Sequence, residues 1–237
     1  MAERELNIVK EARITLNDVS EPPRWSTERL MKLLEDGQRD LCKAAPLLTH
    51  RANINTAQGS ETYRLPLDCV RLLRASCEGL PLPLVSYDAI EDVSADWEED
   101  TGSVSHLVVN SLDQQEIRPY PMAKASQMIK VRYHSLPVEL GWDEETTDSV
   151  EELEVSSMWD GGLTQFIVGK AFLDYGDEAS NSRAGTALKM FGDAIYQAKK
   201  LSRKSFSKRV VSTTYQAKVS SLIGGREYGS SNCRSGY

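Results

Sequence analysis

The hydrophobic positions of this chain change period twice, and the changes mark three regions followed by a stretch with no period. In the first region Leu30, Leu34, Gly37 and Leu41 recur at helical spacing, with Leu33 widening the apolar stripe. Ser26 or Thr27 stands where a helix cap belongs, and Pro46 closes the helix. The residues up to Pro22-Pro23-Arg24-Trp25 read as an irregular lead-in. A glycine inside a helical stripe costs about 1 kcal/mol relative to alanine, so Gly37 predicts the close approach of another backbone.

From about Thr49 to Leu140 the period shortens to two. Ile129, Val131 and Tyr133 alternate with Lys130 and Arg132, and Val70 to Cys77 runs into a Glu78-Gly79 turn. His106 to Asn110 is placed to pair with Glu116 to Tyr120 across residues 111–115. Short strands joined by turns predict an antiparallel β module with one buried face. Tyr63-Arg64-Leu65 runs into Pro66, and Pro119 and Pro121 put their strand at a sheet edge. Tyr87 to Val93 reads as a short inserted helix, and Glu91 to Asp100 as a solvated acidic loop.

The third region returns to the helical period after an acidic loop, Gly141 to Glu154. From Ser157, the residues Leu163, Phe166, Ile167, Lys170 and Ala171 fit an amphipathic helix ending near Gly176. A second starts at Asp177-Glu178-Ala179-Ser180, with Ala184, Ala187, Leu188, Phe191, Ala194, Ile195 and Ala198 on one face through Leu201. Small residues on it (Ala184, Gly185, Ala187, Gly192, Ala194, Ala198) predict tight helix packing. The class is therefore α+β: a small α-helical bundle interrupted by an antiparallel β module, with an extended C-terminal tail. Residues 1–48 hold the lead-in and first bundle helix, 49–140 the β module, 141–202 the remaining bundle helices and 203–237 the tail.

Charge changes this picture more than composition does. From Lys199 to Tyr237 nine basic residues face one acid, Glu227, a charge of +8 that leaves −15 on residues 1–198 of a chain whose total is −7. An acidic body with a basic tail pairs with copies of itself or offers the tail to an acidic partner. The tail's apolar residues come singly, too few to order it without a partner. No apolar run approaches the roughly 20 residues of a membrane span. The charged start, Met1-Ala2-Glu3-Arg4-Glu5, predicts no secretory signal.

Candidate chemistry is sparse. His50, His106 and His134 stand apart, and Cys42, Cys69, Cys77 and Cys233 show neither zinc nor disulfide spacing. Gly185-Thr186-Ala187-Leu188-Lys189 and Gly224-Gly225-Arg226 do not fit a phosphate loop, and Gly161-Gly162 lacks a serine nucleophile. The carboxylates come in loop runs without the apolar pocket that a catalytic acid needs. These absences predict no enzyme, no cofactor and no metal site.

The opening Ile14-Thr15-Leu16-Asn17-Asp18-Val19, then Arg24-Trp25-Ser26 and a helix closing on Asp36-Gly37-Gln38-Arg39, resembles the head-to-tail adaptors of podoviruses, of the tail tubular protein A type. Tyr63-Arg64-Leu65-Pro66 with Asp68-Cys69-Val70-Arg71-Leu72-Leu73, the strand ending Ile117-Arg118-Pro119-Tyr120-Pro121, then Val131-Arg132-Tyr133 and Ala171-Phe172-Leu173-Asp174-Tyr175 follow in the family's order. The likeness covers most of residues 13–200 and leaves the basic extension outside it.

The resemblance implies a structural ring, usually of twelve copies, that joins the portal protein to the tail nozzle protein and keeps the DNA channel continuous for genome ejection. It places the chain in the virion at the head–tail junction, assembled in the bacterial host cytoplasm. The bundle is expected to line the channel, with the β module outward or down. From charge and composition, the portal contact is assigned to the tail: Arg203, Lys204, Lys208, Arg209, Lys218 and Arg226 as cations, with Phe206, Tyr215, Leu222, Ile223 and Tyr228 as apolar anchors. The rival readings are a virion accessory protein that binds nucleic acid through the basic tail, including non-specific contact with genomic DNA in the channel, and a virion cell-wall hydrolase.

Overall fold

A computed structural model describes residues 3–59, 61–92, 96–110, 115–141 and 151–207, with side chains described through Ser202. Helix α1 (Glu3–Leu16) occupies what the sequence reads as an irregular lead-in. Ile8, Val9, Ala12 and Leu16 bury one face of it. It ends on Asn17, whose positive φ of 56° lets Asn17 N–H reach the Ile14 carbonyl and Asp18 N–H the Arg13 carbonyl. That paired bonding satisfies the last carbonyls with asparagine in the left-handed position.

Helix α2 (Thr27–Ala44) starts where expected: the Ser26 hydroxyl accepts from the Arg29 N–H. Among the described residues, the chain then leaves the bundle through ten strands and returns. These are β1 (Thr49–Asn55), β2 (Tyr63–Arg64), β3 (Cys69–Cys77), β4 (Leu80–Leu82), β5 (Leu84–Ser86), β6 (Thr101–Gly102), β7 (His106–Val109), β8 (Glu116–Tyr120), β9 (Met122–Ala123) and β10 (Met128–Ser135). Helix α3 (Tyr87–Glu91) and a 3-10 turn at Trp97–Glu99 are inserted between β5 and β6, so the segment expected as an open acidic loop begins and ends in helical turns.

Two four-stranded sheets result, ordered β1-β10-β3-β4 and β2-β8-β7-β5, with β6 and β9 as a separate pair. Their facing sides share one core, Leu72, Ala75, Ile129 and Val131 from the first sheet against Leu107 and Ile117 from the second. The second sheet is covered on its other side too, where Val108 packs with Ile90 and Trp97. Pairing is mostly antiparallel, but β5–β7 and β6–β9 run parallel.

The proline strand β8 lies between β2 and β7 rather than at an edge. The reason is the length of β2: its two residues pair only with Glu116 and Ile117, so β8 has no strand on that side from Arg118 onward. On the other side Pro119 stands opposite Leu107, whose N–H bonds to Pro83, so no ladder bond needs the missing proline N–H.

After β10 the chain re-enters the bundle through a 3-10 turn, Ser157–Trp159, and helices α4 (Asp160–Leu173) and α5 (Glu178–Ser207). Helix α4 is buried nearly all round, on Leu163, Thr164, Phe166, Ile167, Val168, Gly169, Ala171 and Phe172, because α1, α2 and α5 all pack on it. Gly37 of α2 meets side chains rather than a backbone: a Cβ there would lie 2.9 Å from the Phe166 ring. On α5, Ala184, Ala187, Phe191 and Ala198 are buried as expected, whereas Gly185 and Gly192 are exposed with nothing within 4 Å. The close packing of α5 comes instead from Gly162 and Gly169 of α4, which face Ala194 and Leu188.

Candidate functional site

The residues that carry the sequence motifs gather into two polar knots. In the first, Asp18, 4% exposed, accepts hydrogen bonds from Arg24 N–H at 2.7 Å and Trp25 N–H at 3.4 Å and pairs with Arg13 at 2.7 Å. It thereby folds the connector between α1 and α2. The Arg24 guanidinium then lies 3.7 Å from the Tyr175 ring centre, and Trp25 meets Tyr175 edge-on at 5.1 Å. Asp18 and Arg24-Trp25, neighbours in sequence, and the distant Tyr175 act together as one clasp on the bundle.

The second knot sits where the chain leaves and re-enters the bundle. Gln38, fully buried, accepts from the N–H groups of Glu154 at 3.0 Å and Val155 at 3.3 Å. Glu154 Oε2 accepts from Val138 N–H at 2.9 Å, and its Oε1 lies 3.4 Å from His50 Nε2. The other ring nitrogen of His50 is 3.2 Å from Asp68 Oδ2. The Tyr133 hydroxyl donates to both Asp68 oxygens, at 3.1 and 3.2 Å. Burial first, then the Asp68 charge, pushes the Tyr133 phenol up to about 12, so it stays a neutral donor at ordinary pH. His50 is thus not isolated. The spacing signal is weak because its partners lie 18 and 104 residues away.

This knot fastens the β module to the bundle; its groups bind one another, save the buried Gln38 Nε2, which meets no hydrogen-bond partner among the described residues. Burial likewise pushes the Cys42 thiol up to about 12 and the Cys69 thiol up to about 11, leaving both protonated and unreactive. Among the described residues no three His, Cys, Asp or Glu side chains converge as a metal site, and no helix is long and apolar enough to cross a membrane. A cleft of about 480 Å³ beside the start of α1 is lined by Glu3, Glu11 and Glu152. Its wall is set by Arg4, which pairs with Asp160 and donates to the Val155 carbonyl at 2.8 Å, and by Glu5, which accepts from Leu153 N–H.

Two charged regions remain as candidates for docking. One is the outer face of the first sheet, where Arg51, Arg74 and Arg132 are cross-strand partners and all exposed. The sequence shows the alternation but not that three arginines fall in one register. The other is the predicted tail. Helix α5 continues five residues past Ser202, so Arg203, Lys204 and Phe206 lie on a helical backbone rather than an extended one. Lys208, Arg209, Tyr215, Lys218, Leu222, Ile223, Arg226 and Tyr228, with Cys233, lie outside the described residues.

No curated protein matches the chain. A family model described as SU10 adaptor protein matches residues 6–214, from within the first turn of α1 to past the end of α5.

Proposed function

The chain belongs to the SU10 adaptor protein family, a family of phage head-to-tail adaptors, and we propose that its work is mechanical: a ring subunit that joins the portal protein to the tail nozzle protein. Membership implies a virion protein at the head–tail junction that associates with portal and tail proteins and oligomerises. The observation that carries the reading is the extent of the match, which covers both polar knots and, but for the start of α1, all five α-helices of the described residues.

A subunit of a closed ring needs two different lateral faces. An acidic body with a basic C-terminal segment suits such a contact, and suits docking of that segment on the portal. In this reading residues 1–48 and 141–202 build the ring, residues 49–140 form an accessory module, and residues 203–237 make the portal contact without any catalytic step. Twelve copies match the podovirus adaptors that the motifs resemble.

Electron micrographs of the protein with and without portal test the ring: rings stacked on the portal are expected, and their absence from portal mixtures counts against the reading. Truncation after Ser202 tests the docking. Recruitment to filled capsids is expected to fall sharply, and recruitment at full strength would remove the tail from the contact.

A further inference from the structure

The outer face of the first sheet carries a charge pattern that stability alone opposes. Arg51 of β1, Arg132 of β10 and Arg74 of β3 are successive cross-strand partners. Three arginine side chains therefore leave the sheet from one row of Cα positions, at the strand spacing of about 4.8 Å. Lys130 lies beside the row on β10, and Arg71, the partner of His134, flanks it on the other side. All five cations are exposed. Like charges directly opposite one another destabilise a sheet.

The chain has the means to neutralise them and does not. It holds 35 acidic residues, and the described bundle arginines are all engaged. Arg4, Arg13, Arg29 and Arg39 pair with carboxylates, while Arg24 and Arg183 lie over aromatic rings. On the sheet face, among the described residues, none of the five cations meets a carboxylate. Arg132 donates only to the Thr49 hydroxyl, at 3.4 Å.

What surrounds the row selects the partner. The other positions in register on this side are Thr49, Asn53, Asn55, Ser76 and the buried His134, with Met128 at one end. A protein interface is built around an apolar, charge-poor centre, and this face has cations there. An interface with nucleic acid is polar and strongly positive. The row offers no aromatic ring on which an unpaired base would stack. Four of the five cations are arginines, whose planar fork takes a phosphate through two hydrogen bonds.

We propose that the outer face of the β1–β10–β3 sheet binds the phosphate backbone of double-stranded DNA without reading its sequence, through Arg51, Arg74 and Arg132 with Lys130 and Arg71 beside them. The proposal rests on the adaptor reading only for the source of that DNA, the packaged genome; binding itself belongs to the free chain. It turns this face toward the DNA path, against the expectation that the bundle alone lines the channel.

The test is binding of the full-length protein to a synthetic duplex of about 30 base pairs, followed by fluorescence anisotropy between about 50 and 200 mM salt. Replacing the row together (Arg51→Gln, Arg74→Gln, Arg132→Gln) is expected to weaken binding at least about tenfold. The log–log salt slope should flatten by about three, near 0.9 for each phosphate that is no longer neutralised. The matching Arg→Lys triple keeps most of both. Removing like charges from one register leaves the thermal midpoint unchanged or higher, so weaker binding is not loss of fold. A tail variant (Arg203→Gln, Lys204→Gln, Lys208→Gln, Arg209→Gln) is measured beside them.

Unchanged affinity and slope in the row variant overturn the proposal, as does a loss confined to the tail variant or no binding by the wild type at low salt. A row variant that keeps DNA binding but is no longer recruited to capsids makes the face a protein dock. That result overturns the DNA assignment and leaves the adaptor reading standing.

Discussion

Gly169 of α4 lies so near α5 that a Cβ there would stand 2.7 Å from Leu188 Cγ and 3.3 Å from the Leu188 backbone nitrogen. The backbone atom cannot yield, so Gly169→Ala is expected to destabilise the protein by about 1–3 kcal/mol through overpacking. Gly185, exposed on α5 with nothing within 4 Å, should respond oppositely: Gly185→Ala is expected to stabilise by about 1 kcal/mol from helix propensity alone. Urea melts of the two variants check both signs. Sequence periodicity sees that both glycines sit in helices but not which one faces a neighbour, since that depends on contacts between distant segments. Gly37 shows the same limit. Its place in the stripe announces a close contact, yet the neighbour is the Phe166 ring. His134 is 5% exposed and is held below its ordinary value by burial first, with Arg71 and Arg132 adding repulsion against the Leu48 carbonyl. The folded histidine is therefore neutral where the unfolded one already binds a proton. Its contribution to stability is complete above about 6.5 and is lost as pH falls toward the folded value. His134→Asn is expected to flatten the decline in unfolding free energy between about pH 7.5 and 5.5; curves parallel to the wild type would assign the decline to other groups.

Elements whose pairing is local are legible in the sequence, and elements fixed by distant partners are not. Helix α2 carries its apolar stripe, its cap and its proline stop within one stretch of chain. Ser26→Ala is expected to cost about 1 kcal/mol, because the Arg29 N–H loses its acceptor. The β3–β4 hairpin is visible in the same way, since Glu78-Gly79 is a two-residue turn, and both residues have positive φ, 51° and 84°. That geometry is the twist-matched hairpin turn, which favours Asn-Gly. Glu78→Asn is therefore expected to stabilise by roughly 0.5–1 kcal/mol, relieving part of the cost of a left-handed glutamate; an unchanged thermal midpoint would argue against strain there. Helix α1 escapes the pattern although Ile8, Ala12 and Leu16 repeat every fourth residue. Its β-branched Ile8, Val9, Ile14 and Thr15 are weak helix formers, and its stability comes from packing against α4 and α2. The parallel β5–β7 pair is hidden for a related reason: three residues are too few to show a period, and their partners are 23 residues away.

At the scale of the molecule, the two larger apolar cores among the described residues are joined by polar groups. The bundle core runs from Ile8 to Ala198 and includes no residue of the ten strands, while the module core around Leu107, Ile117 and Ile129 includes no residue of the helices. Between them lies the Gln38–Glu154–His50–Asp68–Tyr133 knot, whose members stand in separate parts of the sequence. The motifs announce the order of these parts, and the fold supplies the contacts. Because, among the described residues, no apolar cluster spans both cores, the module should open without the bundle. Leu107, fully buried, is its probe: Leu107→Ala is expected to cost about 2–5 kcal/mol. In native-state hydrogen exchange that loss should fall on the amides of β3, β7, β8 and β10, while α2 and α4 keep their protection. Uniform loss across both cores would mean that five polar side chains couple them into one cooperative unit. The distinction bears on the two proposals, since a module able to rearrange on a fixed bundle could turn its arginine row toward the proposed DNA path without disturbing the proposed ring.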